Sequence, residues 1–195
     1  MPTILLGLLF LLAPASVGVG MFPISARLSV LSLIFINTFL VPALLIYYFY
    51  RMGFVKDLQL TALPDRRLPY FTTVAVYAFA SYFFGSKLGA ISEVAPQIGL
   101  LLRSITCSIL LVAVVSLRWQ ISAHAVGISG VIGAVLGIMI KFNEDTLLYP
   151  LAGLFVLGGY VLASRLHLNA HTPAQTNAGF GLGFLVSLAT VFLFI

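Results

Sequence analysis

Apolar residues fall in long unbroken blocks along this chain, without the regular polar face that a soluble helix keeps. Seven stretches reach or approach the length of about 20 residues that spans a bilayer, namely 1–21, 28–50, 70–91, 97–117, 122–142, 147–164 and 175–195. The period-two alternation of a transmembrane strand is absent from them. Between the fifth and sixth lies Asn143-Glu144-Asp145-Thr146, which reads as a helix stop followed by a new N-cap. Ala13-Pro14-Ala15 resembles a signal-peptide cleavage site, but no basic residue precedes the apolar run, so the first stretch is expected to stay as a helix. Gly133 and Gly137, then Gly179 and Gly183, stand four apart and predict close helix approach. No internal repeat, low-complexity tract or soluble insert interrupts the pattern. The expected fold is all-α: a polytopic transmembrane bundle of six or seven helices, forming a single domain over 1–195.

Composition identifies the solvent. Hydrophobic residues make up 61% and charged residues 8%, against roughly 25% charged in a soluble domain. So little charge cannot cover a water-facing surface, which excludes a soluble enzyme. Disorder needs the opposite balance. The single cysteine, Cys107, excludes a disulfide framework and a cysteine-based metal cluster, and reads as a small core residue. The net charge of +5 comes without a Lys/Arg run or a basic amphipathic stripe, so nucleic acid is not an expected partner. The charges are left to serve lipid headgroups or a phosphate site.

Counting crossings separates those two uses. The interval 51–67 carries Arg51, Lys56, Asp57, Asp65, Arg66 and Arg67. Two crossings later comes the cluster from Arg118 to His124, and two crossings later again the cluster from Ser164 to Gln175. All three are expected on one membrane face, and together they hold every histidine and most of the arginines. Arginine offers a fixed fork of donors to phosphate, and histidine acts as nucleophile or general acid near neutral pH. With so few carboxylates, a di-carboxylate hydrolase or carboxylate-held metal is disfavoured, and no metal or cofactor is expected. The residue types suggest phosphoryl chemistry on an anionic headgroup.

Ser164-Arg165, His171 six positions after the arginine and Gln175 four after the histidine resemble the third motif of the type 2 phosphatidic acid phosphatase (PAP2) superfamily. Ile121-Ser122-Ala123-His124 is similar to its second motif, Pro-Ser-Gly-His, and Lys56 with Arg66-Arg67-Leu68-Pro69 to a loose form of its first. The resemblance runs from Lys56 to about Gly183. It implies His171 as the nucleophile that forms a phosphohistidine and His124 as the acid that protonates the leaving oxygen. It also implies Lys56, Arg67 or Arg66, and Arg165 as phosphate ligands, with Ser122 adding a hydroxyl donor. Gln175 stands where the family has the aspartate that orients the nucleophile, Ala123 stands where it has glycine, and Lys56 to Arg67 is longer than the family spacing.

The function expected from this resemblance is hydrolysis of a membrane lipid phosphomonoester, with the lipid phosphate and surrounding lipids as partners and no obligate protein partner evident. Lipid headgroup or phosphoryl transfer on the same fold, and lipid-phosphate binding without turnover, are the alternatives. A transporter would need mid-membrane ionisable residues and repeat symmetry; Arg103 hints at the first and the second is absent. Arg103 also reads as a snorkelling residue and Asn37 as a bond across helices, while His167, two residues past Arg165, is a lesser candidate for the site. The chain is expected to be an integral, multi-pass protein of the cytoplasmic (inner) membrane. A bare positive-inside count puts the clusters in the cytoplasm. Arginines kept for phosphate remove that asymmetry, and the resemblance favours the outer face.

Overall fold

Proline fixes where several of the helices begin. It occupies the first or second position of helices starting at Pro2, Leu63, Pro96 and Pro173, where its missing N–H costs nothing. The computed structural model describes residues 1–58, 60 and 62–195, with Ala90 and Ile91 as backbone only. Among these residues it is all-helical, with 81% helix and no strand. The helices are α1 (Pro2–Leu12), α2 (Ile24–Arg51), α3 (Leu63–Tyr82), α4 (Ala90–Val94), α5 (Pro96–Val115), α6 (Ala123–Phe142), α7 (Leu148–His167) and α8 (Pro173–Phe194). A wider turn interrupts α2 at Ile36–Leu40, and another prolongs α3 through Phe83–Lys87.

Among the described residues, five helices are long and apolar enough to cross a membrane: α2, α5, α6, α7 and α8. The other two apolar stretches differ for physical reasons. With 11 residues, α1 is only about 16 Å long, half the hydrocarbon thickness. Its Leu5, Leu6, Leu9 and Phe10 are buried inside the bundle. The 20 residues of α3 are enough in length, but its first turns carry Asp65, Arg66 and Arg67.

The hub is α6, buried on nearly every side through Ile128, Val131, Ile132, Ala134, Val135 and Ile138. It crosses α8 at backbone contact. A Cβ on Gly133 would stand 2.5 Å from the Phe184 carbonyl oxygen, and one on Gly183 would collide with the Val126 carbonyl and the Ser129 hydroxyl. Gly183→Val is therefore expected to cost about 3 kcal/mol or more, because the obstructing atom is backbone that cannot rotate away. Thermal unfolding in detergent would show it as a marked fall in Tm; an unchanged Tm would mean that α6 and α8 are not packed this closely.

One end of the bundle is closed by structural polar contacts. Ser16 Oγ donates to Glu144 Oε1 at 2.5 Å, and Arg27 donates to the carbonyls of Phe10, Gly20 and Phe22. Lys141 Nζ caps the last carbonyls of α8 at Val191 and Phe192, where the helix dipole favours a cation. The predicted stop after α6 is Asn143, in the left-handed region at φ 53° with its N–H on the Met139 carbonyl. Asn37 donates instead to Leu33 of its own helix, so the expected bond across helices is not made. Cys107 is exposed on α5, not in the core, because it lies on the outward side of that helix.

Candidate functional site

At the opposite end, the N-termini of α6 and α8 are locked together. The Ser122 N–H, at the N-cap of α6, donates to the Gln175 carbonyl in the first turn of α8 at 3.3 Å. Gly179 makes this fit possible, since a Cβ there would meet the Ser122 carbonyl at 2.7 Å. The small residues of α8 thus bring His171, just before that helix, beside His124, at the second position of α6. The last turn of α7 supplies Arg165, and the first turn of α3 supplies Arg66. His124 is acted on by the charges of Arg165, His171 and Arg66, and His171 by those of Arg66 and Arg165. The two histidines and two arginines, drawn from four separate stretches of chain, share one site.

Both partners of the third motif carry an unpaired polar atom. Arg165 Nε and His171 Nδ1 are buried without a hydrogen-bond partner among the described residues. Such groups are costly unless something fills the demand. Arg66 is 5% exposed, and its Nε donates to the Leu60 carbonyl at 2.7 Å. Leu60 itself sits in the left-handed region at φ 53°, which is strained for a branched side chain. The charges acting on His171 are all positive, and the N-termini of α6 and α8 add positive dipole ends. A dianionic group suits this field.

The same field sets the protonation of His171. Burial first, and then the Arg66 charge, hold its pKa below the ordinary value of 6.5, while Gln175 and the Gln120 carbonyl oppose the shift. The imidazole is therefore neutral at pH 7, as a nucleophile must be. Removing a neighbouring positive charge favours the protonated ring, so Arg66→Gln is expected to raise the His171 pKa and Arg165→Gln to raise it less. Titration of labelled histidine by NMR would read both. A His171 pKa unmoved by either change would separate the ring from these arginines.

The remaining predicted residues are placed differently. Arg66, not Arg67, reaches the histidines, since the helix begins at Leu63 and consecutive residues on it point about 100° apart. Lys56 and Arg67 are exposed and make no polar contact with the described residues. Ser122, expected to donate to phosphate, is fully buried, and its Oγ accepts the Ala125 N–H as the N-cap of α6. Ala123 occupies the first helical position, where a Cβ is no obstacle. Gln175 Oε1 accepts the Thr172 N–H at 3.0 Å in a capping box while the same side chain also meets the His171 ring, so it divides its capacity between the two. His167 and Arg118 are exposed. Arg103 lies over Gly85, away from the cluster.

Two contributors carried no motif signal: the Leu60 carbonyl that holds Arg66, and Gln120. The Gln120 carbonyl faces the His171 ring, and its Nε2 donates to Ala170 at 3.5 Å. Among the described residues, no group of three or more His, Cys, Asp or Glu is placed to hold a metal. Comparison with family models, curated proteins and solved structures finds no match to this chain.

Proposed function

We propose that this chain is a membrane phosphatase that hydrolyses a lipid phosphomonoester through a phosphohistidine on His171. The observation that carries the reading is the gathering of His124, His171, Arg66 and Arg165 at one end of the bundle, with Arg165 Nε and His171 Nδ1 unpaired among the described residues. In the first step a neutral His171 nitrogen forms a bond to phosphorus while the bond from phosphorus to the lipid oxygen breaks. His124 gives its proton to that oxygen, releasing the lipid alcohol. Water then attacks the phosphohistidine, His124 takes back a proton, and breaking of the phosphorus–nitrogen bond frees inorganic phosphate. Arg66 and Arg165 hold the equatorial oxygens throughout and do the electrostatic work. The ring carries positive charge while phosphorylated, and Gln175 and the Gln120 carbonyl, both of which favour the charged ring, steady it.

In this reading the chain crosses six times. The two arginine-bearing turns of α3 reach the headgroup level and the rest of that helix crosses, while α1 is a half-length helix inside the bundle. With Arg66 and Arg165 assigned to phosphate, the remaining basic residues are balanced: Arg51, Lys56, Arg67 and Arg118 at the site end, and Arg27, Lys87, Lys141 and Arg103 toward the other. The count then favours neither face, and the resemblance of the motifs supports the outer face of the cytoplasmic membrane for the site. A second reading, lipid-phosphate binding without turnover, is favoured by the uncharged Gln175 side chain beside His171 being shared with the Thr172 N–H.

Purified protein in detergent, screened against several lipid phosphates, is expected to release inorganic phosphate at a rate that excess EDTA leaves unchanged. Loss of the activity on chelation would overturn the mechanism. Saturable binding of every substrate with no phosphate released would leave the second reading standing in its place.

A further inference from the structure

Beside the cationic cluster the bundle contains a cavity of about 300 Å³, walled by α1, α2, α3, α5, α6 and α8. The wall is largely aliphatic, with Ile46, Ile105, Ile109 and Val112 on one side and Val126 and Val131 on the other. Its lining on α6 runs from Ala123 to Val131, a depth of about 12 Å along that helix. Two of its residues adjoin the cluster. Ala123 lies between Ser122 and His124, and Tyr70, one turn beyond Arg66 on α3, is acted on by the Arg66 charge. The cavity therefore adjoins the site at one end and is largely apolar along its depth.

The α6 wall is kept thin by Gly127 and Gly130. A Cβ on Gly130 would approach the hydroxyl of Ser187, itself part of the lining, at 3.2 Å, so a larger side chain there crowds this wall of the cavity. An independent observation also points to an occupant. Ser108 lines the cavity, is 5% exposed, and its hydroxyl has no hydrogen-bond partner. Hydroxyls in such helices ordinarily bond back to the carbonyl four residues earlier, as Thr38 and Thr106 do here. Among the described residues nothing pairs with the Ser108 hydroxyl; a lipid chain joined through an ester, or bearing a hydroxyl, would supply a partner.

We propose that this slot takes one hydrocarbon chain of the lipid whose phosphate is held at the cluster, and that Gly130 sets the chain length the protein accepts. The inference rests on the phosphate reading of the cluster. It makes the substrate a chain-bearing lipid phosphate held from both ends, the head by Arg66 and Arg165 and the chain by the slot. A free phosphorylated metabolite would use only the head.

Butyl, hexyl, octyl and decyl phosphates, titrated into the detergent-purified protein, separate the two halves of the claim. Affinity is expected to rise with each added methylene, by up to about fourfold, and then to level off once the slot is full. In Gly130→Leu, octyl phosphate should lose about tenfold, roughly two methylenes' worth, while butyl phosphate binds as before and so reports an intact fold. Ile109→Ala enlarges the slot and should move the plateau to a longer chain. Partition into detergent is common to all three proteins. Identical chain dependence in wild type and both variants overturns the slot while leaving the head site standing. Binding at every length that is indifferent to Arg165→Ala overturns the phosphate reading itself.

Discussion

Replacing His171 with alanine is expected to abolish phosphate release, by about three orders of magnitude or more, because no other group in the site can form the covalent bond. The loss should fall on kcat, with alkyl phosphate binding retained, since the arginines proposed to hold phosphate remain. His124→Ala differs in kind. It removes a proton donor, worth about 10²–10⁴-fold, and the deficit should shrink with substrates whose leaving group is acidic enough to depart without a proton. A uniform deficit across leaving groups would deny His124 the role of acid. This contrast follows from position: His171 precedes α8 at the end of a loop, whereas His124 is anchored in the first turn of α6.

The second large effect is expected at the arginines. Arg165→Ala should lower kcat/KM by about 10²–10³-fold, the scale for removing one preorganised donor from a site where charge develops. Its Nε, without a partner among the described residues, predicts that both KM and kcat suffer, because the proposed interaction would be made in the ground state and strengthened in the transition state. Arg165→Lys should recover little, as a point charge does not replace the guanidinium fork. Arg66→Ala should behave alike, and Arg67→Ala should stay within about twofold of wild type, as an exposed charge without partners does. An Arg67 variant as damaged as the Arg66 variant would mean that the first turn of α3 is rotated from the position described.

The membrane class was legible because it rests on composition and block length, which no tertiary contact can override. The number of crossings was not. The stretch 1–21 is apolar throughout, yet Ala13-Pro14 ends its helix after 11 residues, and packing inside the bundle buries what lipid would otherwise cover. The stretch 70–91 hides an earlier start, since Leu63-Pro64-Asp65 is a favourable first turn that extends α3 into the polar interval. That extension is also why the sequence could not choose between Arg66 and Arg67. Read as loop residues they are equivalent; on a helix they face different ways.

The site was legible wherever motif spacing coincided with helix ends. Ser122 and Thr172 are N-caps, so the histidines beside them lie at the ends of α6 and α8. What spacing could not reveal was competition for the same atoms. Ser122 Oγ and Gln175 Oε1 both satisfy backbone N–H groups, as residues of their types do at helix starts. Their identities suit catalysis and capping equally, and only the partner distances separate the two uses. The Gln120 and Leu60 carbonyls are backbone groups, which a side-chain pattern cannot encode at all.

The central claim, that His171 carries the phosphoryl group, is tested most directly by acid–base trapping. Protein turning over a lipid phosphate with radiolabelled phosphorus is denatured in alkali, where a phosphohistidine survives, and the labelled peptide is sequenced. The account predicts label on the peptide containing His171, lost on acid treatment, absent from His171→Ala, and accumulating in His124→Ala when the leaving group is acidic enough to depart unprotonated, because only water attack then lacks its base. Phosphate release by the wild-type protein with no label on His171 would contradict it.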